Sequence, residues 1–335
     1  MSAARRAPIT HPFRLSEFVC PLLRAFCFLL TAAFLLAAPP ASAIIILNGA
    51  NGRNLTAPTG IYAGSSWQYV GDWGGVLGTP ISPHFFVSAK HAGFPSGGVL
   101  SSSLGDYTVT NAFYDPNSDL ALYQVAETFT DFAPLYTGNS ETTLGEALLY
   151  GRGTDRGSAL IVSGVQQGWT WGTADFQRSW GTNAVSAIEN FGPSLGDLLI
   201  FTNDKENVSA TEGAVTGWDS GGPVFVNENG VWKLAGINYG VESYSLDGVN
   251  RLDASVWDKR GLYVSNGSGY DFVPSSLTAP EPGIFGSTRI SSRYESFILP
   301  IIRADLETAA PEPGTVALLL PLMLVGIHRL RRRGF

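Results

Sequence analysis

The stretch TGWDSGGPVF, residues 216–225, places a serine in a glycine-rich turn that leads directly into an apolar strand. Gly221 and Gly222 follow Ser220, and glycine most readily takes the backbone angles of a tight turn. Trp218 and Asp219 precede the serine. Because a serine hydroxyl becomes a nucleophile only when a nearby base accepts its proton, the stretch directs attention to the histidines of the chain.

Histidine is the expected base, and it is scarce here. His11 and His328 belong to the terminal segments, so only His84 and His91 remain in the body of the chain. His91 stands near the end of the apolar run HFFVSAKHA, which puts its imidazole at the end of a predicted strand. Asp119 directly precedes another apolar run, LALYQV. A histidine, an aspartate and a serine at three strand ends could together activate the serine hydroxyl.

Short apolar runs recur about every ten residues between residue 44 and about residue 265. They include HFFVSA (84–89), DYTVTNAFY (106–114), LALYQV (120–125), ALIVSGVQQGWTWG (159–172) and VWKLAGINYG (231–240). Their β-branched and aromatic residues, bounded by Gly, Pro, Asn or Asp, indicate strands. RYESFILPIIRADL (293–306) predicts a terminal helix that Pro300 kinks or shortens. The sequence therefore predicts an all-β sandwich or barrel.

Three segments, in the order His, Asp, Ser, resemble the trypsin-like (chymotrypsin-fold) serine proteases. They are VSAKHA, SDLAL and DSGGP, with 28 residues from the histidine to the aspartate and 101 from the aspartate to the serine. LAGINYG (234–240) and PGIF with TRISSRYESFI (282–298) extend the resemblance. It implies two six-stranded antiparallel β-barrels with a short C-terminal helix. It also implies a secreted serine endopeptidase that needs no cofactor.

The resemblance implies a role for each residue of these segments. Ser220 would attack the scissile carbonyl, His91 would take its proton, and Asp119 would orient the imidazole. Asp115 is the alternative to Asp119, which stands directly before LAL as the family pattern has it. The N–H groups of Ser220 and Trp218 would form the oxyanion hole, although the family has glycine in place of Trp218. If that position requires a positive φ, tryptophan costs about 1–2 kcal/mol there or turns the donor away.

The same resemblance implies a substrate pocket. Its residues would be Ala214, Asn238, Tyr239, Gly240 and Gly283. Ala214, six residues before the serine, would form the floor, which argues against a preference for Lys or Arg. The segment 241–281, rich in Gly, Ser, Asp and Tyr, is expected to be an insertion beside the pocket.

The first 43 residues predict a secretory signal peptide. Four arginines precede the apolar run AFCFLLTAAFLLAA (25–38), and PPASA ends at Ala43 as a small-residue cleavage site. A first transmembrane helix is the alternative, but this run is shorter than the roughly 20 residues that span a bilayer.

The last 25 residues, PEPGTVALLLPLMLVGIHRLRRRGF (311–335), resemble the PEP-CTERM sorting signals of Gram-negative bacteria. A short transmembrane segment (314–327) follows the PEP motif, and a basic tail ends the chain. The resemblance implies export across the inner membrane, transient anchoring, and an exosortase that cuts near Glu312 and delivers the protein to the cell surface or exterior. Residues 301–310 would link this signal to a protease domain of residues 44–300.

Cleavage in the family exposes a new N-terminal isoleucine, which folds inward and pairs with the aspartate before the serine, here Asp219. Removal of the signal peptide after Ala43 would expose Ile44, which precedes His91 by 47 residues. We expect Ile44 to take this role without a separate pro-segment. The alternative is that IIIL (44–47) is simply a first β-strand.

Removal of both ends defines the exported body. Cys20 and Cys27 lie in the signal peptide, so no disulfide is expected. Residues 44–312 hold 13 basic and 27 acidic residues, and a net charge near −14 argues against nucleic acid and anionic membranes as ligands. Two histidines without cysteine favour no metal site. The expected partners are protein or peptide substrates, signal peptidase and the exosortase.

Three functions are weighed for this chain. A secreted serine endopeptidase is the leading interpretation. A weak or inactive protease-fold protein that binds partners at the cell surface or in the matrix is the alternative that Trp218 favours. An esterase on the same fold is the third.

Overall fold

The computed structural model describes residues 44–47, 53–93, 97–174, 176–205, 209–242, 244–245, 248, 251–252, 254–276 and 278–309. The predicted signal peptide (1–43) and the predicted sorting signal with its membrane segment (311–335) lie outside these residues. In the described ranges, no helix has the length and apolar character needed to cross a bilayer.

Strands account for most of the regular structure. In chain order they are β1 (Ile45–Ile46), β2 (Gly71–Trp73), β3 (Val76–Ser82), β4 (Phe85–Ala89), β5 (Val99–Ser102), β6 (Gly105–Tyr114), β7 (Leu120–Val125), β8 (Glu146–Gly151), β9 (Thr154–Val162), β10 (Val165–Ala174), β11 (Ser179–Ala184), β12 (Ala187–Asn190), β13 (Asp197–Asn203), β14 (Gly213–Ala214), β15 (Pro223–Glu228), β16 (Val231–Val241), β17 (Tyr244–Ser245), β18 (Arg251–Leu252), β19 (Ala254–Val256), β20 (Gly261–Ser265), β21 (Tyr270–Pro274) and β22 (Gly283–Arg289). Single 3-10 turns lie at Gly60–Tyr62, Trp67–Tyr69, Lys90–Ala92 and Glu141–Thr143.

The first half of the body is a closed, six-stranded antiparallel barrel. Its strands pair in the order β2-β3-β4-β7-β6-β5, and the pairing of Asp72 with Ser101 joins β5 back to β2. Successive side chains of a strand alternate between the two faces, so each strand sends every second residue inside. Trp73, Phe86 and Tyr123 meet there with ring centroids 5.0–5.3 Å apart. The predicted all-β class and one six-stranded barrel are thus confirmed.

The second half differs from the expected second six-stranded barrel. It is a seven-stranded sheet in the order β11-β8-β15-β16-β22-β13-β12. Only Val185 and Ser186 connect the two edge strands β11 and β12, and a link that short spans about 11 Å at most. The sheet must therefore curl until its edges lie close together. At the open seam, the side-chain amide of Asn183 donates to the carbonyl of Thr202 (3.1 Å), so a side chain bridges β11 and β13.

The expected insertion, residues 241–281, contains strands of its own. β19 pairs with β10 and extends the β9–β10 hairpin to three strands, while β20 and β21 form a separate hairpin. The contact of β19 with β10 depends on Gly168, since a Cβ atom there would lie 1.9 Å from the carbonyl oxygen of Ser255. The insertion is therefore packed against the body through main-chain pairing.

The predicted terminal helix is present and longer than expected. It comprises α1 (Ser291–Arg293), a π-helical turn (Tyr294–Ile298) and α2 (Leu299–Ala309). Pro300 lacks an N–H and so cannot donate within the helix, and the π-helical turn directly precedes it. Residues 301–309, expected as a linker, continue α2, because Ile301 and Ile302 pack against the main core.

One histidine of the body anchors this helix. His84 Nδ1 lies 2.8 Å from Asp305 Oδ2, and its Nε2 lies 3.2 Å from Thr128 Oγ1. The side chain of Gln124 donates to the other oxygen of Asp305 at 2.7 Å. His84 is therefore engaged in holding α2 against the barrel.

A shared core joins the barrel to the curled sheet. Leu77, Val87 and Leu122 of the barrel belong to the same buried cluster as Tyr150 and Ile237 of the sheet. The ends of β4, β7 and the loop before β15 meet along this junction. His91, Asp119 and Ser220 lie at this junction.

Candidate active site

His91, Asp119 and Ser220 come together where the barrel meets the curled sheet. β4 pairs with β7 so that Ala89 lies opposite Leu120, which places the residues just beyond these two strand ends side by side. His91 Nδ1 lies 2.6 Å from Asp119 Oδ2, and its Nε2 lies 2.7 Å from Ser220 Oγ. The main-chain N–H of His91 donates to Asp119 Oδ1 at 2.9 Å. The imidazole therefore stands between a buried carboxylate and the serine hydroxyl, where it can accept the hydroxyl proton.

Asp115, the alternative partner of His91, is engaged elsewhere. It is fully buried and receives two hydrogen bonds from Arg293, with Nε 2.6 Å from Oδ2 and Nη2 2.9 Å from Oδ1. Burial raises the pKa of Asp115, but hydrogen bonds from Arg293, Ser118 and the Asn117 N–H outweigh it and hold that pKa below its usual value. Lys90 Nζ donates to the carbonyls of Asp115 (2.6 Å) and Ser118. These charges brace the loop that carries Asp119.

Two successive turns shape the loop that carries Ser220. The N–H of Asp219 donates to the carbonyl of Thr216 (3.3 Å), and the N–H of Gly222 donates to the carbonyl of Asp219 (3.1 Å). Gly221 has a φ of 77°, and a Cβ atom there would lie 2.3 Å from the carbonyl oxygen of Leu77. Glycine is therefore required at position 221 both by its backbone angle and by the closeness of the barrel.

Trp218 takes the left-handed backbone conformation that glycine adopts more easily. Its φ of 73° costs a residue with a Cβ atom about 1–2 kcal/mol. The preceding carbonyl, of Gly217, accepts hydrogen bonds from the Thr154 N–H (3.1 Å) and from Thr216 Oγ1 (3.2 Å). Since the C=O and N–H of a trans peptide point in opposite directions, the Trp218 N–H points away from Thr154. Within the described ranges, the chain supplies no acceptor for the N–H of Trp218 or of Ser220.

The side chain of Trp218 is 60% exposed and meets Phe176 edge to face, with ring centroids 6.3 Å apart. Phe176 is 41% exposed and also has a positive φ, 58°. The guanidinium of Arg152 lies 5.7 Å from the Phe176 ring and 3.2 Å from Asp72. Sequence reasoning missed Phe176, because it lies 42 residues before Trp218 in a segment without a motif.

Asp219 is completely buried behind the serine. Its carboxylate accepts hydrogen bonds from Thr216 N (2.8 Å), Thr216 Oγ1 (3.1 Å), Gly153 N (2.7 Å) and Ile44 N (3.3 Å). Burial raises its pKa from the ordinary 3.8 to about 6, and the hydrogen bonds from Thr216, Gly153 and Ile44 offset only part of that rise. Asp219 is thus a buried acid with a main-chain nitrogen of Ile44 directly beside it.

Ile44 is held in this place from both sides. Its side chain is fully buried, and Cβ atoms at Gly181 or Gly213 would lie 2.8 Å and 2.6 Å from its Cγ2. The next residue, Ile45, pairs with Ala214. Ile44 has a φ of 27°, which is a strained value for a β-branched residue.

Two of the expected pocket residues are buried in the framework. Ala214 is 1% exposed and packs with Ile44 and Ile45 in the core of the curled sheet. The side chain of Asn238 turns inward, where it donates to the Tyr150 carbonyl (2.9 Å) and accepts from Ser287 Oγ (3.0 Å). The side-chain amide of Asn238 therefore lies inside the sheet, bonded to β8 and β22.

The other expected pocket residues border open space. Tyr239 and Gly240 line an apolar groove, and the Tyr239 ring lies edge to face against His91 at 5.6 Å. Gly283 borders a separate cavity, together with Val215 and β19 of the insertion. A Cβ atom at Gly283 would lie 2.4 Å from the carbonyl oxygen of Val256. The insertion therefore forms one wall of this cavity.

No protein-family model matches the chain, and no curated protein matches its sequence. Within the described ranges, no three His, Cys, Asp or Glu side chains cluster in a way that could hold a metal ion. Function is therefore inferred from the geometry of these residues.

Proposed function

We propose that the protein is a secreted serine endopeptidase that acts through Ser220, His91 and Asp119. The observation that carries the proposal is the hydrogen-bonded series from Ser220 Oγ through the His91 imidazole to Asp119, with links of 2.7 and 2.6 Å. Ser220 Oγ attacks the peptide carbonyl while His91 Nε2 takes its proton and then passes it to the departing amine. Water hydrolyses the resulting acyl-enzyme ester, and Asp119 holds the imidazole in the required tautomer throughout.

The fold we propose is that of the trypsin-like, chymotrypsin-fold proteases. A closed six-stranded barrel, a curled sheet with adjacent edges and a C-terminal helix support it. The three reactive residues lie on loops at the junction of the two halves. The curled sheet corresponds in this proposal to the second barrel of the family.

The oxyanion hole we propose consists of the N–H groups of Trp218 and Ser220. The Thr154 N–H anchors the Gly217 carbonyl and so fixes the orientation of the peptide that carries the Trp218 N–H. Donors that are fixed in place before charge develops stabilise a tetrahedral intermediate without reorganisation. This anchoring favours an active loop over one from which the donor has turned away.

We also propose that signal-peptide cleavage before Ile44 completes the site. The φ angle of Ile44 is defined partly by the preceding residue, so cleavage of the 43–44 bond removes the strained angle. It also converts the nitrogen that lies 3.3 Å from Asp219 Oδ2 into an ammonium group. A buried carboxylate is stabilised by an adjacent opposite charge. Cleavage therefore removes the strained angle at Ile44 and places a positive charge beside the Asp219 carboxylate.

The two terminal segments are the basis for a proposed route of export. Export by the signal peptide across the inner membrane of a Gram-negative bacterium, and release by an exosortase from a PEP-CTERM anchor, would place the protease at the cell surface or outside. This part of the proposal is supported by sequence alone.

Labelling with a fluorophosphonate probe tests the proposal. The chain beginning at Ile44 should be labelled, and Ser220→Ala and His91→Ala should each abolish labelling. His84→Ala is the matched control, because this histidine bonds Asp305 of α2 and should leave labelling intact. Absence of labelling in a chain that is folded by circular dichroism would refute the protease and favour a binding protein. Labelling with ester cleavage, but no cleavage of a mixed peptide library, would favour an esterase.

A further inference from the structure

The chain presents two large aromatic side chains to solvent next to the nucleophile. Trp218 is 60% and Phe176 41% exposed, and both have a positive φ, 73° and 58°. Exposed aromatic surface and left-handed backbone are each unfavourable for folding, and strained residues that persist cluster at binding and catalytic sites. The two rings also contact each other, at 6.3 Å and an interplanar angle of 76°.

A charged pair of side chains lies beside the aromatic pair. Arg152 lies 5.7 Å from the Phe176 ring, and its own side chain is only 14% exposed. Asp72 of β2 fixes Arg152 through an ion pair of 3.2 Å. The guanidinium of Arg152, paired with Asp72, therefore contacts the aromatic pair through the Phe176 ring.

Tyr239 contacts a different part of the site. Tyr239 lies against the His91 ring, in the last part of β16, which extends beyond the pairing with β15 that ends at Ile237 and could there pair with the substrate chain. Trp218 instead stands two residues before Ser220 and contacts Phe176. A peptide that runs along β16 to the nucleophile would pass the proposed oxyanion hole and then meet the Trp218 side chain.

We propose that Trp218 and Phe176 form a subsite for an aromatic or large apolar side chain of the substrate, on the leaving-group side of the scissile bond. This inference rests on the proposed protease function. Aromatic rings in edge-to-face or offset contact stabilise each other beyond simple burial, so a third ring would fit against the exposed indole. In this chain the departure from glycine at position 218 would then serve specificity.

Capture of the acyl-enzyme by added amines tests this subsite without knowledge of the acyl-side preference. p-Nitrophenyl acetate would acylate Ser220, and phenylalaninamide or glycinamide would compete with water for the acyl group. In the transfer, the amine nitrogen forms an amide bond to the acyl carbon while the bond to Ser220 Oγ breaks. His91 takes the proton from the amine and returns it to Ser220. The ratio of amide to acetate, corrected for the uncatalysed reaction, measures binding of the amine.

Phenylalaninamide should capture the acetyl group about 2- to 12-fold more effectively than glycinamide, the range expected for one aromatic contact. The ratio of phenylalaninamide capture to glycinamide capture should fall towards one in Trp218→Gly and in Phe176→Ala. It should persist in Phe272→Ala, which removes an exposed ring from β21 in the insertion. A ratio near one in the native chain, or an unchanged ratio in both variants, would overturn the subsite.

Failure of the protease proposal gives a different result. If Ser220 is not a nucleophile, p-nitrophenol release would show no dependence on Ser220, and no acyl group would be available for transfer. That outcome overturns the subsite together with the proposed function. An acyl-enzyme that forms on Ser220 but shows no preference among amines overturns the subsite alone.

Discussion

The main-chain nitrogen of Ile44 lies 3.3 Å from Oδ2 of Asp219, the fully buried carboxyl that directly precedes the candidate nucleophile Ser220. The two residues are 175 positions apart in the chain. The state of the N-terminus is thus in direct contact with the loop that shapes the candidate active site, and two predictions depend on this contact.

A chain that retains residues before Ile44 should lose stability as the pH rises through about 6. The pKa of Asp219 is raised from 3.8 to about 6 by burial, so the folded state holds the proton more tightly than the unfolded state does. Below about pH 4 the protonated Asp219 contributes on the order of 3 kcal/mol to the free energy of unfolding. This contribution is lost as the pH rises past 6. Thermal unfolding at pH 4 to 7.5, against Asp219→Asn as a reference that cannot ionise, measures it. Parallel pH curves for the two chains would contradict the prediction.

A chain that begins at Ile44 should escape this loss. Its ammonium group would lie beside the Asp219 carboxylate and lower the pKa of that carboxyl. At pH 7 we therefore expect a higher melting temperature and faster fluorophosphonate labelling than for the chain that retains Ala43. The same chain acetylated at Ile44 is the control, since it has the same length without the charge. Equal labelling of the charged and acetylated forms would show that the ion pair is not needed.

Trp218→Gly should change the labelling rate of Ser220 by less than about tenfold. The loop already has the left-handed angle at residue 218, and Thr154 already anchors the preceding carbonyl, so glycine has no misplaced donor to restore. One missing oxyanion donor typically costs about 10²–10³ in rate. A gain of that size in Trp218→Gly would mean that the native donor is turned away. Labelling rates of the native chain and of Trp218→Gly, measured in parallel with a single fluorophosphonate probe, decide whether the native donor is in place or turned away.

Arg293→Met should destabilise the protein by about 3–5 kcal/mol at pH 7, because it leaves the buried carboxylate of Asp115 without its charged partner. The pKa of Asp115 is held below its usual value, so the ion pair contributes above about pH 4 and is lost as the pH falls further. The cost of the substitution should therefore shrink in acid. Urea unfolding measures both effects.

Lys233→Met is the matched control for Arg293→Met. Its ion pair with Glu228 is partly exposed on both sides and should contribute no more than about 1 kcal/mol. Similar losses for the two variants would argue that Arg293 acts through packing of the helix and not through Asp115.

Much of the candidate site could be predicted because its residues sit in short local patterns. His91 near the end of an apolar run, Asp119 before one and Ser220 among glycines each mark a strand end, and strand ends carry loops that can meet. The β-branched and aromatic residues of the recurring short runs, bounded by turn residues, likewise predict an all-β body. The position of Asp119 directly before LAL favours it over Asp115, and Asp119 Oδ2 lies 2.6 Å from His91 Nδ1.

The parts that sequence could not supply are contacts between distant segments. Arg293 is 178 residues from Asp115, and no local pattern connects them. Phe176 beside Trp218 and the carbonyl anchor from Thr154 depend on how the β8–β11 region folds over the serine loop. The inward position of the Asn238 side chain likewise depends on its hydrogen bonds to Tyr150 of β8 and Ser287 of β22.

By itself, the sequence determined the all-β class, the terminal helix and the order of the three reactive residues, because periodicity and turn chemistry are local properties of the chain. Only the tertiary structure decided that His91 lies within hydrogen-bond distance of both partners, that Ile44 meets Asp219, and that the second half is a seven-stranded curled sheet. Strand register and side-chain burial set these outcomes, and both arise from packing between segments that the chain brings together only when it is folded.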